Sequence, residues 1–130
     1  MISDNLSKVA AIDEGFKKDL LSAIDKGPLV LGESVKHAIY YHVERKHQLR
    51  REEIPEKIES FHKALQSLLG AGAEVLEKLI AKDLYGRLGL NFEEHEGWTI
   101  VDYVNQGEKS RKQLKESQVA AGFHGRILLR

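Results

Sequence analysis

Cysteine is absent from this 130-residue chain, which excludes disulfide bonds, thiolate metal sites and cysteine nucleophiles. Long apolar runs are absent as well, and none approaches the ~20 residues that a membrane-spanning helix needs. The first residues also lack the basic segment and following apolar block of a signal peptide. We therefore expect a cytoplasmic protein that does not associate with membranes.

The net charge of the chain is also zero, but the charges are unevenly distributed. Residues 107–130 hold six Lys or Arg against two Glu, whereas the preceding 106 residues hold 14 basic against 18 acidic groups. Apolar residues make up 42% and charged residues 31%, which is typical of one globular domain with a modest core. The sequence thus predicts a helical domain over residues 1–106 and a basic C-terminal extension over residues 107–130.

Two amphipathic segments, here called the two arms, lie on either side of residues 70–73. Apolar residues recur with the helical period of 3.6 in both segments, so each segment forms a helix with one apolar stripe. The predicted stripes consist of Ile58, Phe61, Leu65, Leu68 and Leu69 in the first arm and Val75, Leu76, Leu79, Ile80 and Leu84 in the second. Glu74, Glu77 and Lys78 are expected on the solvated face between them.

The remaining segments predict an all-α fold, a small bundle of about five helices. One helix is expected over residues 4–26, capped by Ser3 or Asp4 and ended by Gly27 and Pro28. A second helix follows over residues 32–47. A last helix begins after Thr99, where Asp102 occupies the acidic position of a capping box.

Two segments between these helices are expected to be irregular. Residues 52–55 predict a loop, because the residue before a proline avoids the helical region. Residues 91–97 predict an acidic loop with a short hairpin. Beyond residue 105 the apolar residues become sparse, and Gly122 and Gly125 are expected to loosen the backbone.

Several short strings resemble one archaeal family. They are LGESVK at 31–36, IYYH at 39–42, EIP at 53–55, GAGA at 70–73, and GWT at 97–99 followed by Tyr103 and Val104. Together they resemble the family called Nitrosopumilus output domain five over about residues 29–105. The resemblance implies an archaeal, mainly helical module that acts as an output or regulatory unit. The family has no established reaction, so it supplies no catalytic residues to carry over. The basic extension lies outside the matched region.

The polar residues give no enzymatic or metal-binding pattern. His37, His42 and His47 are five residues apart, so a helix turns each by about 140° from the last and they do not converge on one metal ion. Glu93, Glu94 and Glu96 fall within four residues of a loop, a pattern typical of a solvated surface. We expect a protein that is not an enzyme and has no catalytic residue, metal site or cofactor.

The basic extension instead favours a role in RNA binding. Cationic groups neutralise phosphates, and aromatic rings stack on unpaired bases. The predicted RNA-binding residues are Lys109, Arg111, Lys112, Lys115, Phe123, His124, Arg126 and Arg130, with a secondary basic patch of Arg45, Lys46, Arg50 and Arg51. The partner is then the ribosome or another structured RNA, with a role in translation regulation. The alternative is a protein-binding output module of an archaeal signalling or transcription system.

The last helix also predicts self-association. Trp98, Ile100, Val101, Tyr103 and Val104 give it more apolar surface than a thin bundle covers. Residual apolar stripes often pair two copies about a two-fold axis. We therefore expect a homodimer with the last helix or the Gly70 region at its interface.

Overall fold

Within residues 13–129, five α-helices and one 3-10 helix build an all-α bundle, which confirms the predicted fold class. The structure, a computed structural model, describes the backbone of residues 13–129 and the side chains of residues 13–116. The α-helices are α1 Glu14–Leu29, α2 Glu33–His47, α3 Ile58–Leu69, α4 Gly72–Leu88 and α5 Ile100–Leu129, with the 3-10 helix Arg51–Lys57 between α2 and α3. Within residues 13–129 there is no β-strand, and no helix is long and apolar enough to cross a membrane.

Helix α4 lies at the centre of the bundle, where it packs against α1, α3 and α5. The predicted pair of arms is confirmed, because α3 and α4 are joined by a tight turn in which Gly70 has a φ of 58°. Five side chains of the two arms are completely buried: Phe61 and Leu65 of α3, and Leu76, Ile80 and Leu84 of α4. Leu20, Ile54 and Ile100 from other elements are completely buried as well. Of the other predicted stripe residues, Val75 stays 58% exposed, and four are half-buried: Ile58, Leu68, Leu69 and Leu79.

Helix α1 differs from its predicted bounds at both ends. It begins at Glu14, where the side chain of Asp13 caps it by accepting a hydrogen bond from the Gly15 amide at 3.1 Å. The predicted cap at Ser3 or Asp4 and residues 4–12 of the predicted helix lie outside the described residues. The predicted stop at Gly27 and Pro28 is wrong, because the helix continues to Leu29 with both residues buried. Gly27 serves close packing, since an added Cβ would lie 2.6 Å from Cγ1 of Ile80 in α4.

Two loops were also predicted incorrectly in detail. Residues 52–55 belong to the 3-10 helix, in which Ile54 and Pro55 are buried and Glu53 accepts a hydrogen bond from the Arg50 amide at 2.9 Å. Residues 91–97 form no hairpin. Instead, the ring of Phe92 in this loop packs against Tyr103 of α5. The Tyr103 hydroxyl also accepts a hydrogen bond from the His95 amide at 2.9 Å.

The start of α5 follows the predicted cap. Asp102 accepts a hydrogen bond from the Thr99 amide at 2.9 Å, and the Thr99 hydroxyl accepts one from the Val101 amide at 3.2 Å. The helix then continues to Leu129, so the prediction that Gly122 and Gly125 loosen the backbone is wrong.

The apolar side of α5 packs within its own chain. Ile100, Tyr103 and Val104 are each at most 4% exposed, and Gly107 lies against Tyr85. Of the five residues from which we predicted a dimer through α5, Trp98 and Val101 remain half-buried, so the surplus of apolar surface is smaller than predicted.

Candidate functional site

The basic residues of α5 divide into exposed and anchored groups. Lys109 and Lys112 are exposed, and neither forms an ion pair within the described residues. Arg111 and Lys115 instead reach Asp13 at the start of α1, with N–O distances of 3.1 and 3.5 Å. The structure describes a helical backbone at Phe123, His124 and Arg126 but not their side chains. Arg130 lies outside the described residues.

The pair between Arg111 and Asp13 explains a glycine in the first turn of α1. An added Cβ at Gly15 would lie 2.7 Å from the Arg111 guanidinium, so the glycine leaves room for this side chain. The hydrogen bond from the Gly15 amide, followed by the charges of Arg111 and Lys115, holds the pKa of Asp13 below its ordinary value. Arg111 and Lys115 thus attach α5 to α1, and they are less free for a partner than the sequence predicted.

The secondary basic patch divides in the same way. Arg45 lies over the ring of Tyr41 at 5.4 Å, and Lys46 and Arg50 are exposed at the end of α2. Arg51 instead donates two hydrogen bonds to the carboxylate of Asp25 in α1, at 2.9 and 2.6 Å. Three members of the patch are therefore presented to solvent, whereas Arg51 joins the 3-10 helix to α1.

Asp25 is the acceptor at the centre of a three-residue cluster. The Tyr40 hydroxyl of α2 donates to the same carboxylate, so Asp25 links α1, α2 and the 3-10 helix. Burial, the largest influence, raises the pKa of Asp25, but the hydrogen bonds from Arg51 and Tyr40 together outweigh it and hold the pKa below 3.8. The carboxylate is therefore ionised at neutral pH, and burial and Asp25 raise the pKa of Tyr40.

This cluster predicts a pH-dependent contribution to stability. Asp25→Asn should lower the free energy of unfolding by about 1 kcal/mol at pH 7, because the amide has no negative charge for Arg51 and one oxygen acceptor instead of two, in a partly exposed site. Since the folded pKa is lowered, the contribution is complete above the unfolded pKa of about 3.9 and is lost as the pH falls through the folded value.

Urea unfolding of both proteins between pH 3 and pH 7 measures this difference. It should be constant above about pH 5 and become smaller towards the acid end of the range. Asp19→Asn on the same helix is the matched control, since Asp19 has no ion pair within the described residues. A difference that is independent of pH would contradict the assignment.

A cluster that the sequence did not predict lies where α3, α4 and α5 meet. Glu77 of α4, expected on a solvated face, is 3% exposed. Its Oε2 accepts a hydrogen bond from Nδ1 of His62 at 2.5 Å, and its Oε1 accepts one from the Ile100 amide at 3.0 Å. The carboxylate thus satisfies an amide at the positive end of α5, where a negative charge is favoured.

An open cleft of about 250 Å³ lies beside this carboxylate. It is bounded by the end of α3, the start of α4 and the residues before α5. The half-buried Trp98 lines it and stacks on His95, with ring centroids 4.0 Å apart and planes inclined by 24°. The cleft therefore combines a buried acid, a histidine and an aromatic ring, which are contributed by separate segments of the chain.

Histidines elsewhere do not form a comparable cluster. In the described part of the chain, no group of three or more His, Asp or Glu residues is placed to hold a metal ion. His37 and His47 are exposed and His42 is half-buried along α2. His62 is distinguished by its buried partner, a feature that its sequence neighbours do not reveal.

Comparisons with protein-family profiles, curated proteins and solved structures found no match to this chain. The resemblance to the Nitrosopumilus output domain five family therefore stays a prediction. The candidate functional surfaces are the α5 cations, the exposed α2 patch and the cleft at Glu77.

Proposed function

We propose that the protein is a non-enzymatic regulator that binds the ribosome or another structured RNA through the cationic residues of α5. The observation that carries this proposal is the segregation of charge. Residues 107–130 have a surplus of four positive charges, and the remainder of the chain has an equal negative surplus. A cationic helix beside an acidic body orients the molecule towards polyphosphate, because the body is repelled from it.

The anchored residues give this surface a fixed direction. Arg111 and Lys115 hold α5 against the start of α1, while Lys109 and Lys112 remain exposed along the same helix. The exposed Arg45, Lys46 and Arg50 supply a second set of phosphate contacts. Phosphate contacts of this kind position a protein on RNA without reading sequence, which suits a partner recognised by shape.

The proposal predicts a specific change in salt dependence. Lys109→Gln with Lys112→Gln should reduce the slope of log affinity against log salt by about 2, because two phosphate contacts no longer release counterions. Lys18→Gln with Lys63→Gln is the matched control, since both lysines are exposed on other helices. Fluorescence anisotropy with a labelled RNA hairpin of about 30 nucleotides that carries an unpaired loop measures both slopes.

A truncation tests the end of the helix separately. Deleting residues 117–130 removes Phe123, His124, Arg126 and Arg130 and keeps the contacts of Arg111 and Lys115 with Asp13. Affinity for the hairpin and co-sedimentation with ribosomes should fall at least about tenfold, while the helical circular-dichroism signal of the body persists. Equal affinity of the truncated and double-lysine variants with the full chain would refute RNA binding through α5.

A protein-binding output module is the second candidate, and a different surface supports it. Val30 and Leu31, in the turn between α1 and α2, are 69% and 51% exposed. Val30 borders an open groove of about 460 Å³ that Leu79 also lines. A partner that is recovered equally with and without nuclease treatment, and lost with Val30→Ser, would favour this candidate over RNA.

Self-association belongs with this proposal. We propose a homodimer through the Gly70 region, where Val75 is exposed one turn beyond the α3–α4 connection. The extensive burial of Ile100, Tyr103 and Val104 makes the described start of α5 the weaker of the two predicted interfaces.

A further inference from the structure

The cleft beside Glu77 has acidic and aromatic walls, and no lysine or arginine lines it. Glu77 itself accepts from the Ile100 amide and so offsets the positive start of α5. Its lining comprises His62, Gln66, Gly70, Ala71, Ala73, Glu74, Glu77, Gly97, Trp98 and Thr99. Lys78 lies close by and contacts Glu74 at 3.6 Å and Glu94 at 3.5 Å, but it does not line the cleft. An anion that entered would face the carboxylates of Glu74 and Glu77, and no lysine or arginine lines the cleft itself.

His62 provides a hydrogen-bond acceptor in this cleft. In the tautomer whose Nδ1–H donates to the Glu77 carboxylate, Nε2 of His62 carries the lone pair and can accept a hydrogen bond. Within the described residues no hydrogen bond is formed to Nε2, which is accessible to solvent although the imidazole as a whole is only 15% exposed. The Ile100 amide donates to the other oxygen of Glu77 and fixes the carboxylate, which in turn fixes the orientation of the His62 ring.

Trp98 adds an apolar and electron-rich surface. The indole lines the cleft and is supported by the stacked ring of His95. The face of an indole attracts cations more strongly than the other aromatic side chains do. Carboxylates, an acceptor nitrogen and an indole together match a ligand with a positive charge, N–H donors and a short apolar part.

We propose that this cleft binds a small organic cation of the guanidinium or primary ammonium class. An N–H of the ligand donates to Nε2 of His62, its charge faces Glu74 and Glu77, and its carbon chain lies against Trp98. The volume of about 250 Å³ accommodates a fragment of a few heavy atoms and is below the usual size of drug-binding pockets. This site is separate from the α5 cations and does not depend on RNA binding.

Trp98 reports directly on the occupancy of the cleft, because it is the only tryptophan of the chain. The probe is butylguanidinium chloride, and butylurea is a neutral control of nearly the same shape. At constant ionic strength, butylguanidinium should change the Trp98 emission saturably at millimolar concentration. Butylurea should require at least about tenfold more for the same change, because it lacks the charge.

Three variants connect the response to named atoms. His62→Asn keeps an N–H donor for Glu77 but removes the Nε2 acceptor, and should weaken binding at least about tenfold. Glu74→Gln removes an exposed charge of the cleft and should weaken binding about threefold. Glu59→Gln, an exposed change on α3 outside the cleft, should leave the affinity unchanged.

Thermal unfolding and circular dichroism of each variant confirm that it is folded. If His62→Asn does not fold, Glu74→Gln still tests the site, because its side chain is exposed. The proposal is overturned if butylguanidinium gives no saturable change up to about 50 mM. Equal responses to butylguanidinium and butylurea, or full affinity in every folded cleft variant, would overturn it as well.

Discussion

Replacing Glu77 by leucine should lower the free energy of unfolding by about 2–5 kcal/mol, although leucine is close to glutamate in size and more apolar. The carboxylate accepts hydrogen bonds from the Ile100 amide and from Nδ1 of His62 in a buried site. Leucine has no hydrogen-bond acceptor, so the Ile100 amide at the start of α5 and Nδ1 of His62 on α3 both lose their partner. Each donor left unsatisfied in a buried site costs about 1–3 kcal/mol.

A second substitution at this position separates hydrogen bonding from charge. Glu77→Gln keeps one oxygen acceptor and adds an amide donor that the imidazole accepts in its other tautomer. The loss should be about 1 kcal/mol, because only the charge at the N-terminal end of α5 is removed. Urea unfolding followed by circular dichroism measures the three proteins under identical conditions.

Glu74→Leu is the matched control for this series. Glu74 lies one turn earlier on α4, is exposed, and makes only a surface ion pair with Lys78. Its replacement should change the stability by no more than about 0.5 kcal/mol. If Glu77→Leu were no more destabilising than Glu74→Leu, the hydrogen-bond network at the start of α5 would be wrong.

The burial of Glu77 marks the limit of what the sequence predicts in this fold. Helix periods and caps depend on residues a few positions apart, so the α3–α4 pair and the Thr99 cap could be predicted correctly. Glu77 has Lys78 as its neighbour and lies between Glu74 and Ile80, a local pattern typical of a solvated edge. Its partners, His62 and Ile100, are distant in the chain, and only packing of three helices brings them together.

The basic residues show the same division. Composition correctly predicted cations at the surface, and Lys109, Lys112 and Arg45 are exposed. Local spacing gave no sign that Arg111 binds Asp13 or that Arg51 binds Asp25, because each acceptor lies in another helix. Charge counts thus predict a basic surface, whereas the tertiary fold decides which of its members remain free for a partner.

Gly27 and Pro28 illustrate a local rule that tertiary structure overrides. A glycine followed by a proline ordinarily ends a helix, because glycine adopts left-handed conformations and proline lacks an amide hydrogen. Here both residues are buried within the last turn of α1. Gly27 is in contact with α4, so its missing side chain serves the approach of two helices.

Gly27→Ala should therefore destabilise the protein by about 1–3 kcal/mol, even though alanine is the better helix former. The added Cβ would lie 2.6 Å from Cγ1 of Ile80 and 3.2 Å from its Cα and backbone nitrogen. Because part of the clash is with backbone, α1 and α4 must move apart to relieve it, and the packing around Leu76 and Ile80 loosens. Thermal and urea unfolding should both record the loss.

Gly86→Ala provides a control with the opposite expected sign. Gly86 lies within α4 and is exposed, and no heavy atom would lie within 4 Å of its added Cβ. Alanine there should stabilise the protein by about 0.5–1 kcal/mol through helix propensity and reduced freedom of the unfolded chain. Ile80→Ala should reduce the cost of Gly27→Ala, since it removes the atom in closest contact. Two outcomes would show that α1 does not approach α4 this closely. One is a stability change of the same sign for Gly27→Ala and Gly86→Ala. The other is an equal stability cost of Gly27→Ala in the wild-type and Ile80→Ala backgrounds.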